Sequence, residues 1–385
     1  MGLFRSRRLA ALLLTLGFAL PAEAGLKFQF DYSYDSYGFF DAPERRESLE
    51  LAGAFLNRYV DSLDALIPDE TNKWLSFFTP PDADSNIFLT GGPIPQDTML
   101  IHVAGRPLAG RLAQATDFGA VGQGDPDWVA SVANRGQLGA SETPALDFGP
   151  MGGSISFNNN LTEVPWHFGV SATGIKSNEF DFVTVAMHEL SHLLGFGISR
   201  SFDTYVTPQH TFTGPDSKLV GSSSNATLKL DDADAHWLSG TKGVWNGKTQ
   251  EALLAPGIFP GRRTYMSSLD RAALRDIGWE EAEAGDANLD RLFNTTDILT
   301  MFQAGKYETT IPATWADGDF NDDALFESGD LVVALQSGNY EQPVAALAAA
   351  AIDEVESIAG VVLEYDRTNG NVEVRITGGE LTAFE

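Results

Sequence analysis

His188 and His192 stand four residues apart in the run His188-Glu189-Leu190-Ser191-His192. On a helix that spacing turns both imidazoles to one face, where they can share one Zn²⁺. Glu189 falls beside the first ligand, where a carboxylate can take a proton from water that the cation has made more acidic. The chemistry expected of such a group is hydrolysis, with the metal polarising a carbonyl, and a peptide bond is the first target to consider. The bland alternative is a solvated helix carrying two unconnected histidines. Helical spacing of the apolar residues around the motif and a glycine soon after it favour the metal. Gly195, three residues past His192, suits a left-handed C-cap that turns the chain sharply beneath the metal.

A second set of residues is built from oxygen donors. Residues 285–341 hold a duplication in which each paired position is 33 residues apart, the mark of a repeated module. Asp286, Asn288, Asp290, Asn294 and Asp297 fill positions 1, 3, 5, 9 and 12 of an EF-hand loop, with the Leu292 carbonyl at 7. Asp319, Asn321, Asp323, Glu327 and Asp330 fill the same positions of a second loop, with Leu325 at 7. Carboxylate and amide oxygens at this spacing fit Ca²⁺ and not a transition metal. Arg291 and Ala324 stand at position 6, where glycine is usual, which predicts weakened binding.

The elements that must position these residues are legible in part. Asp41 reads as an N-cap with Pro43 and Glu44 in the first turn, and apolar residues recur at helical spacing from Ala52 through Leu66 until Pro68. Thr98–Val103 and Ser154–Phe157 read as strands separated by a Gly-rich, loop-like stretch. A helix from about Asn178 to Gly195 carries the histidines, and another, capped by Ser267 or Ser268, ends at Gly278. An Ala-rich helix is expected beyond Pro343, then a hairpin of Val361–Tyr365 and Val372–Ile376 turning at Asn369-Gly370. These patterns predict an α+β fold, with a mixed-sheet catalytic domain over residues 25–280, a small helical calcium-loop module over 285–342, and a helix and β-rich segment over 343–385.

Composition bounds the setting. The 385 residues carry 25 basic and 53 acidic side chains, a net charge of −28; that balance repels nucleic acid. Arg5, Arg7 and Arg8, the apolar run Leu9–Leu20 and Ala22-Glu23-Ala24 read as a secretory signal over residues 1–24, with Arg7-Arg8 leaving twin-arginine export open. No later stretch is apolar enough to span a bilayer, so a secreted or cell-surface protein is expected. The chain has no cysteine, which excludes thiol chemistry and disulfide staples and leaves core size and metal ions to stabilise it.

Met187 to Gly197 resembles the opening of a metzincin zinc-binding motif. The third histidine usual in that motif is replaced by Ile198. In the leishmanolysin-like branch the ligand follows an insertion, in a His-Trp pair before a Leu-Met-Ala-Pro turn. This chain offers His236-Trp237, Leu253-Leu254-Ala255-Pro256 and a closing Leu274-Arg275-Asp276-Ile277-Gly278-Trp279. The resemblance, specific from about Phe180 to Trp279, implies a secreted zinc endopeptidase. It implies His188, His192 and His236 as ligands and Glu189 as general base. Asp203 and His210 also follow the motif and compete for the third position. Leu254 stands where the family has a structural methionine, and Met266 competes for that role. His102 and His167 read as packed, non-ligating residues. The duplicated loops resemble dockerin repeats, which implies Ca²⁺ and raises the question of a docking partner. Two other readings remain open: a non-catalytic calcium-binding surface or interaction protein on a degenerate protease fold, and a zinc hydrolase acting on something other than peptides.

Overall fold

The structure is a computed structural model that describes residues 25–221 and 227–342, together with the backbone of strands Val361–Asp366 and Asn371–Ile376. The signal read at 1–24, the Ala-rich helix after Pro343 and the Asn369-Gly370 turn lie outside the described residues. The two C-terminal strands pair antiparallel.

The chain is α+β. Seven strands build its two larger sheets: β1 (Lys27–Asp31), β2 (Lys73–Phe78), β3 (Ile87–Thr90), β4 (Thr98–Arg106), β5 (Ala113–Asp117), β6 (Gly119–Gln123) and β7 (Gly152–Asn158). The central sheet has the order β1-β4-β7-β5. Its first three strands run parallel, and β5 runs antiparallel at the edge. A smaller antiparallel sheet has the order β3-β2-β6. The helices are α1 (Pro43–Leu56), α2 (Pro126–Asn134), α3 (Phe182–Leu193), α4 (Arg200–Thr204), α5 (Pro215–Gly221), α6 (Ser268–Asp276), α7 (Thr295–Gln303) and α8 (Ser328–Gln336).

Central strands β4 and β7 are buried along their length because both faces are covered. Side chains alternate between the faces. Met99, Ile101 and Val103 pack into a core with α1 and α3. Leu100 and His102 face the opposite way, toward Trp74, Phe78 and Phe118. One side of the sheet therefore carries the helix that bears the histidines, and the other carries the small sheet.

Several local expectations give way to tertiary pairing. Helix α1 stops at Leu56 instead of running to Pro68. Tyr59, Leu63 and Leu66 are fully buried, but in extended chain: Tyr59 bridges Glu281, and Leu66 bridges Ile94. Ala42, not Asp41, holds the α1 N-cap position. The histidine helix starts at Phe182, capped by Asp181 and not near Asn178, because Phe180 and Asp181 first pair with Trp166 and His167. The Gly-rich stretch resolves into β5, β6 and α2. Strands β1, β2 and β3 add to the sequence reading. In β2 the exposed Phe77 sits between inward Ser76 and Phe78, so the period of two is masked by apolar residues on both faces.

The duplicated segment forms two loops and two helices around Phe293, Met301, Trp315, Phe320 and Phe326. Val60 and Ala282 belong to the same cluster, so the duplicated segment packs on the chain that precedes it. Arg58 Nη1 lies 2.6 Å from Asp322 Oδ1 and Arg271 Nη2 lies 3.0 Å from Asp322 Oδ2. Arg291 bonds Glu280 at 2.7 Å and the Val60 carbonyl at 2.8 Å.

Candidate metal centre

Helix α3 owes its position to a buried anchor. The Asp181 carboxylate accepts from the Thr184 N–H at 2.9 Å and from Arg263 Nε and Nη2, both at 2.9 Å. Arg263 also donates to the carbonyls of Gly169 and Val170. Paired and hydrogen-bonded on all sides, these buried charges meet the condition that makes their burial tolerable. Gly195 and Gly197 shape the other end of the helix. At Gly195, φ is 110°, and a Cβ would fall 2.7 Å from the Phe148 ring. At Gly197, φ is 74°, and a Cβ would fall 2.5 Å from the Ala235 carbonyl oxygen. The second glycine admits the backbone that carries the next residue, His236.

His188, His192 and His236 offer nitrogens that all lie within 4.8 Å of one another, the one such group of three or more His, Cys, Asp or Glu side chains among the described residues. His188 Nδ1 donates to the Leu253 carbonyl at 2.8 Å, and His192 Nδ1 donates to the Phe196 carbonyl at 2.9 Å. Those bonds place each proton on Nδ1 and leave both Nε2 lone pairs facing inward, 3.1 Å apart. Two nitrogens bound tetrahedrally at about 2.0–2.1 Å would be roughly 3.3 Å apart. Facing lone pairs repel unless a proton or a cation lies between them, so the donor set fits a divalent metal with imidazole preference. Burial and the imidazoles of His192 and His236 push the His188 pKa well below its ordinary value, and burial with the His236 imidazole pushes His192 down to about 4. Both rings are therefore neutral, the state a ligand needs.

His236 joins from the insertion. Its Nδ1 lies 2.9 Å from Asp231 Oδ2. Burial acts to raise the Asp231 carboxyl, but the His236 ring and the Ala235 N–H outweigh it and hold the group below the usual carboxylate range. The competing candidates lie elsewhere. Asp203 is exposed on α4, and His210 pairs through Nδ1 with Asp234 at 2.9 Å. His102 is enclosed by the rings of Tyr34, Phe78 and Phe118, and His167 bonds the Ser171 carbonyl.

Glu189 is buried next to the cluster, facing the edge strand. Burial raises its carboxyl to about 8 against the opposing effect of the Ala115 N–H on β5. A divalent cation nearby would favour the ionised form again.

The turn at Leu253–Leu254 supports the first ligand. Leu254 is fully buried, and its carbonyl accepts from the Trp237 N–H at 2.9 Å. Asp270 on α6 accepts from the N–H groups of Leu253 and Leu254 and from Trp237 Nε1, at 2.9, 3.2 and 3.0 Å. Met266 instead lines a small cavity with Met187, Arg58 and Asp322. Sequence reasoning missed Asp231, Asp270 and the Phe196 carbonyl. For Asp270 a signal existed, since it completes a capping box with Ser267. Asp231 has only its closeness to His236 in Asp231-Asp232-Ala233-Asp234-Ala235-His236.

The two calcium-loop candidates share one hydrogen-bond pattern. Asp286 accepts from the N–H groups of Asp290 and Arg291, and Asp319 accepts from those of Asp323 and Ala324. Asp297 and Asp330 each tie their loop's start to its end. Arg291 and Ala324 adopt φ of 67° and 66°, the conformation that position 6 demands and that costs a non-glycine residue about 1–2 kcal/mol. The Asn294 side chain caps α7 by accepting from the Thr296 N–H. Burial, with the charges of Asp297 and Asp290, pushes Asp286 up to about 7; burial, with Asp322 and Asp330, pushes Asp319 up to about 8. Asp286, Asp297, Asp319 and Asp330 are buried, and oxygen donors of this kind are what a hard divalent cation takes, but no three acidic side chains of either loop converge as the three histidines do.

Among the described residues no helix is long and apolar enough to cross a membrane. Comparison with family models, with curated proteins and with solved structures finds no match for this chain.

Proposed function

We propose that this chain is a secreted, zinc-dependent endopeptidase of the leishmanolysin-like metzincin type, stabilised by a calcium-binding repeat pair. The observation that carries the reading is the convergence of His188, His192 and His236, two of them with Nε2 bared by backbone bonds at Nδ1, beside the buried Glu189. His188, His192 and His236 would hold zinc. When bound, zinc supplies a Lewis acid that polarises the scissile carbonyl and acidifies the attacking water. Glu189 takes the proton from that water and passes it to the leaving amine. Strand β5 ends the central sheet beside Glu189, which engages its Ala115 N–H, and its remaining outward backbone groups suit an extended peptide, which can pair with them through hydrogen bonds. That edge favours a peptide over other hydrolysable substrates.

Asp286, Asn288, Asp290 and Asp297, with Asp319, Asn321, Asp323 and Asp330, would hold two Ca²⁺ ions, and the packing of the module on Val60 and Ala282 supports a structural role for it. The reading is tested by zinc analysis and casein hydrolysis on the purified protein. One zinc per chain with chelator-sensitive hydrolysis is expected; a chain that binds zinc but cleaves neither peptides nor esters supports the non-catalytic interaction protein instead, and one that cleaves esters alone supports the non-peptide hydrolase.

A further inference from the structure

We propose that Asp231 is the positioning residue of the third ligand, holding His236 in the tautomer and orientation that present Nε2 to the metal; the proposal rests on the zinc reading above. The three histidines are supported unequally. His188 and His192 ride on one helix, and main-chain carbonyls hold both Nδ1–H groups. His236 sits in a turn between Leu230 and Trp237, which bridge one another, and its side chain keeps 24% of its surface exposed. No helix fixes it.

One carboxylate supplies both things the turn lacks. Asp231 Oδ1 accepts from the Ala235 N–H at 3.0 Å and from the His236 N–H at 3.4 Å, while Oδ2 takes the ring at 2.9 Å. The backbone closes the same turn, with the Asp231 N–H donating to the His236 carbonyl at 2.9 Å. An ionised carboxylate only accepts, so it selects the tautomer of the neutral ring that carries its proton on Nδ1 and keeps the Nε2 lone pair for a ligand. Its negative charge also makes the imidazole a stronger donor than a carbonyl partner would.

An amide cannot do both tasks. In Asp231→Asn the oxygen is best kept on the Ala235 N–H, which turns the NH₂ toward the ring. Nδ1 must then accept, the proton moves to Nε2, and ligation is blocked. The variant is nearly isosteric, so the turn is retained.

The test uses the full chain. Zinc affinity is measured by competition with a chelator, the cobalt-substituted protein is followed by its visible absorption, and the metal-free protein is melted. Asp231→Asn is expected to weaken zinc binding about 10–100-fold and to change the cobalt spectrum, with metal-free melting close to that of the unaltered chain. Asp231→Glu, which keeps the charge, is expected to recover part of the affinity. Unchanged zinc affinity and an unchanged cobalt spectrum in Asp231→Asn overturn the proposal. So does lowered metal-free stability with unchanged zinc affinity, which reduces Asp231 to a turn-closing residue. A chain that holds no more zinc than His188→Ala overturns the metal reading itself.

Discussion

His188 and His192 face one another Nε2 to Nε2 at 3.1 Å while each Nδ1 is engaged by a backbone carbonyl. Neutral rings held this way gain nothing from each other, and a shared cation removes the repulsion between their lone pairs. One carbonyl is local, Phe196 four residues past His192, and the other is distant, Leu253 lying 65 residues from His188 in sequence.

The identity of the third ligand is decided by zinc content in three alanine variants. His236→Ala is expected to lose stoichiometric zinc. Asp203→Ala and His210→Ala are expected to keep it, since Asp203 is exposed and His210 is paired with Asp234. Zinc loss confined to Asp203→Ala would remove His236 from the site.

Glu189→Ala should retain zinc and lose proteolysis by about 10²–10⁴-fold, the usual contribution of a general base. Undiminished hydrolysis of casein by this variant would refute the assignment of Glu189.

Asp270→Ala should destabilise the protein by several kcal/mol, because each buried donor left without a partner costs about 1–3 kcal/mol. Its carboxylate serves Leu253, Leu254, Ser267 and Trp237 at once. Denaturant unfolding measures the loss, and the fluorescence of Trp237 should shift with it. A change below about 1 kcal/mol, within the range of an ordinary single hydrogen bond, contradicts the account of the turn.

Calcium binding should weaken as pH falls below about 7, because protons compete for Asp286 and Asp319, whose carboxyls are raised to about 7 and 8. In calcium-free protein the sign is opposite. A raised carboxyl stabilises the fold fully below its unfolded pKa of about 4, and that stability is lost as pH rises through 7 to 8. Calorimetric titration at pH 5.5 and 8 tests the first statement, and melting in a chelator across the same range tests the second. Calcium affinity independent of pH would count against both loops.

Asp322→Ala should uncouple the duplicated segment from the part of the chain it packs on. It leaves Arg58 and Arg271 without their shared partner, and a cost of about 2–3 kcal/mol is expected, below the ~3–5 of a fully buried pair because some solvent reaches the site. The parent chain is expected to melt in one transition and the variant in two. One cooperative transition in the variant would show that the apolar contacts of Val60 and Ala282 suffice.

The sequence by itself determined the parts whose chemistry is local. Four-residue spacing aligns His188 and His192 on any helix, the loop spacing orders Asp286 through Asp297, and the Ser267 cap starts α6. Each depends only on neighbours along the chain. Tertiary structure decided what depends on long-range pairing. Tyr59 to Leu66 has a helical pattern, yet it is held extended by Glu281 and Ile94, because backbone pairing and burial in the core outweigh a weak helical preference. The meeting of His236 with a helix 44 residues earlier, the Leu253 carbonyl that sets the tautomer of His188, and the bonds from Asp270 to Trp237, Leu253 and Leu254 are likewise decided in space, whereas the Phe196 carbonyl on His192 and the Asp231 contacts with Ala235 and His236 span only four or five residues. A chain read one residue at a time contains no term for contacts that form only when Leu253, Asp270 and α3 are packed together.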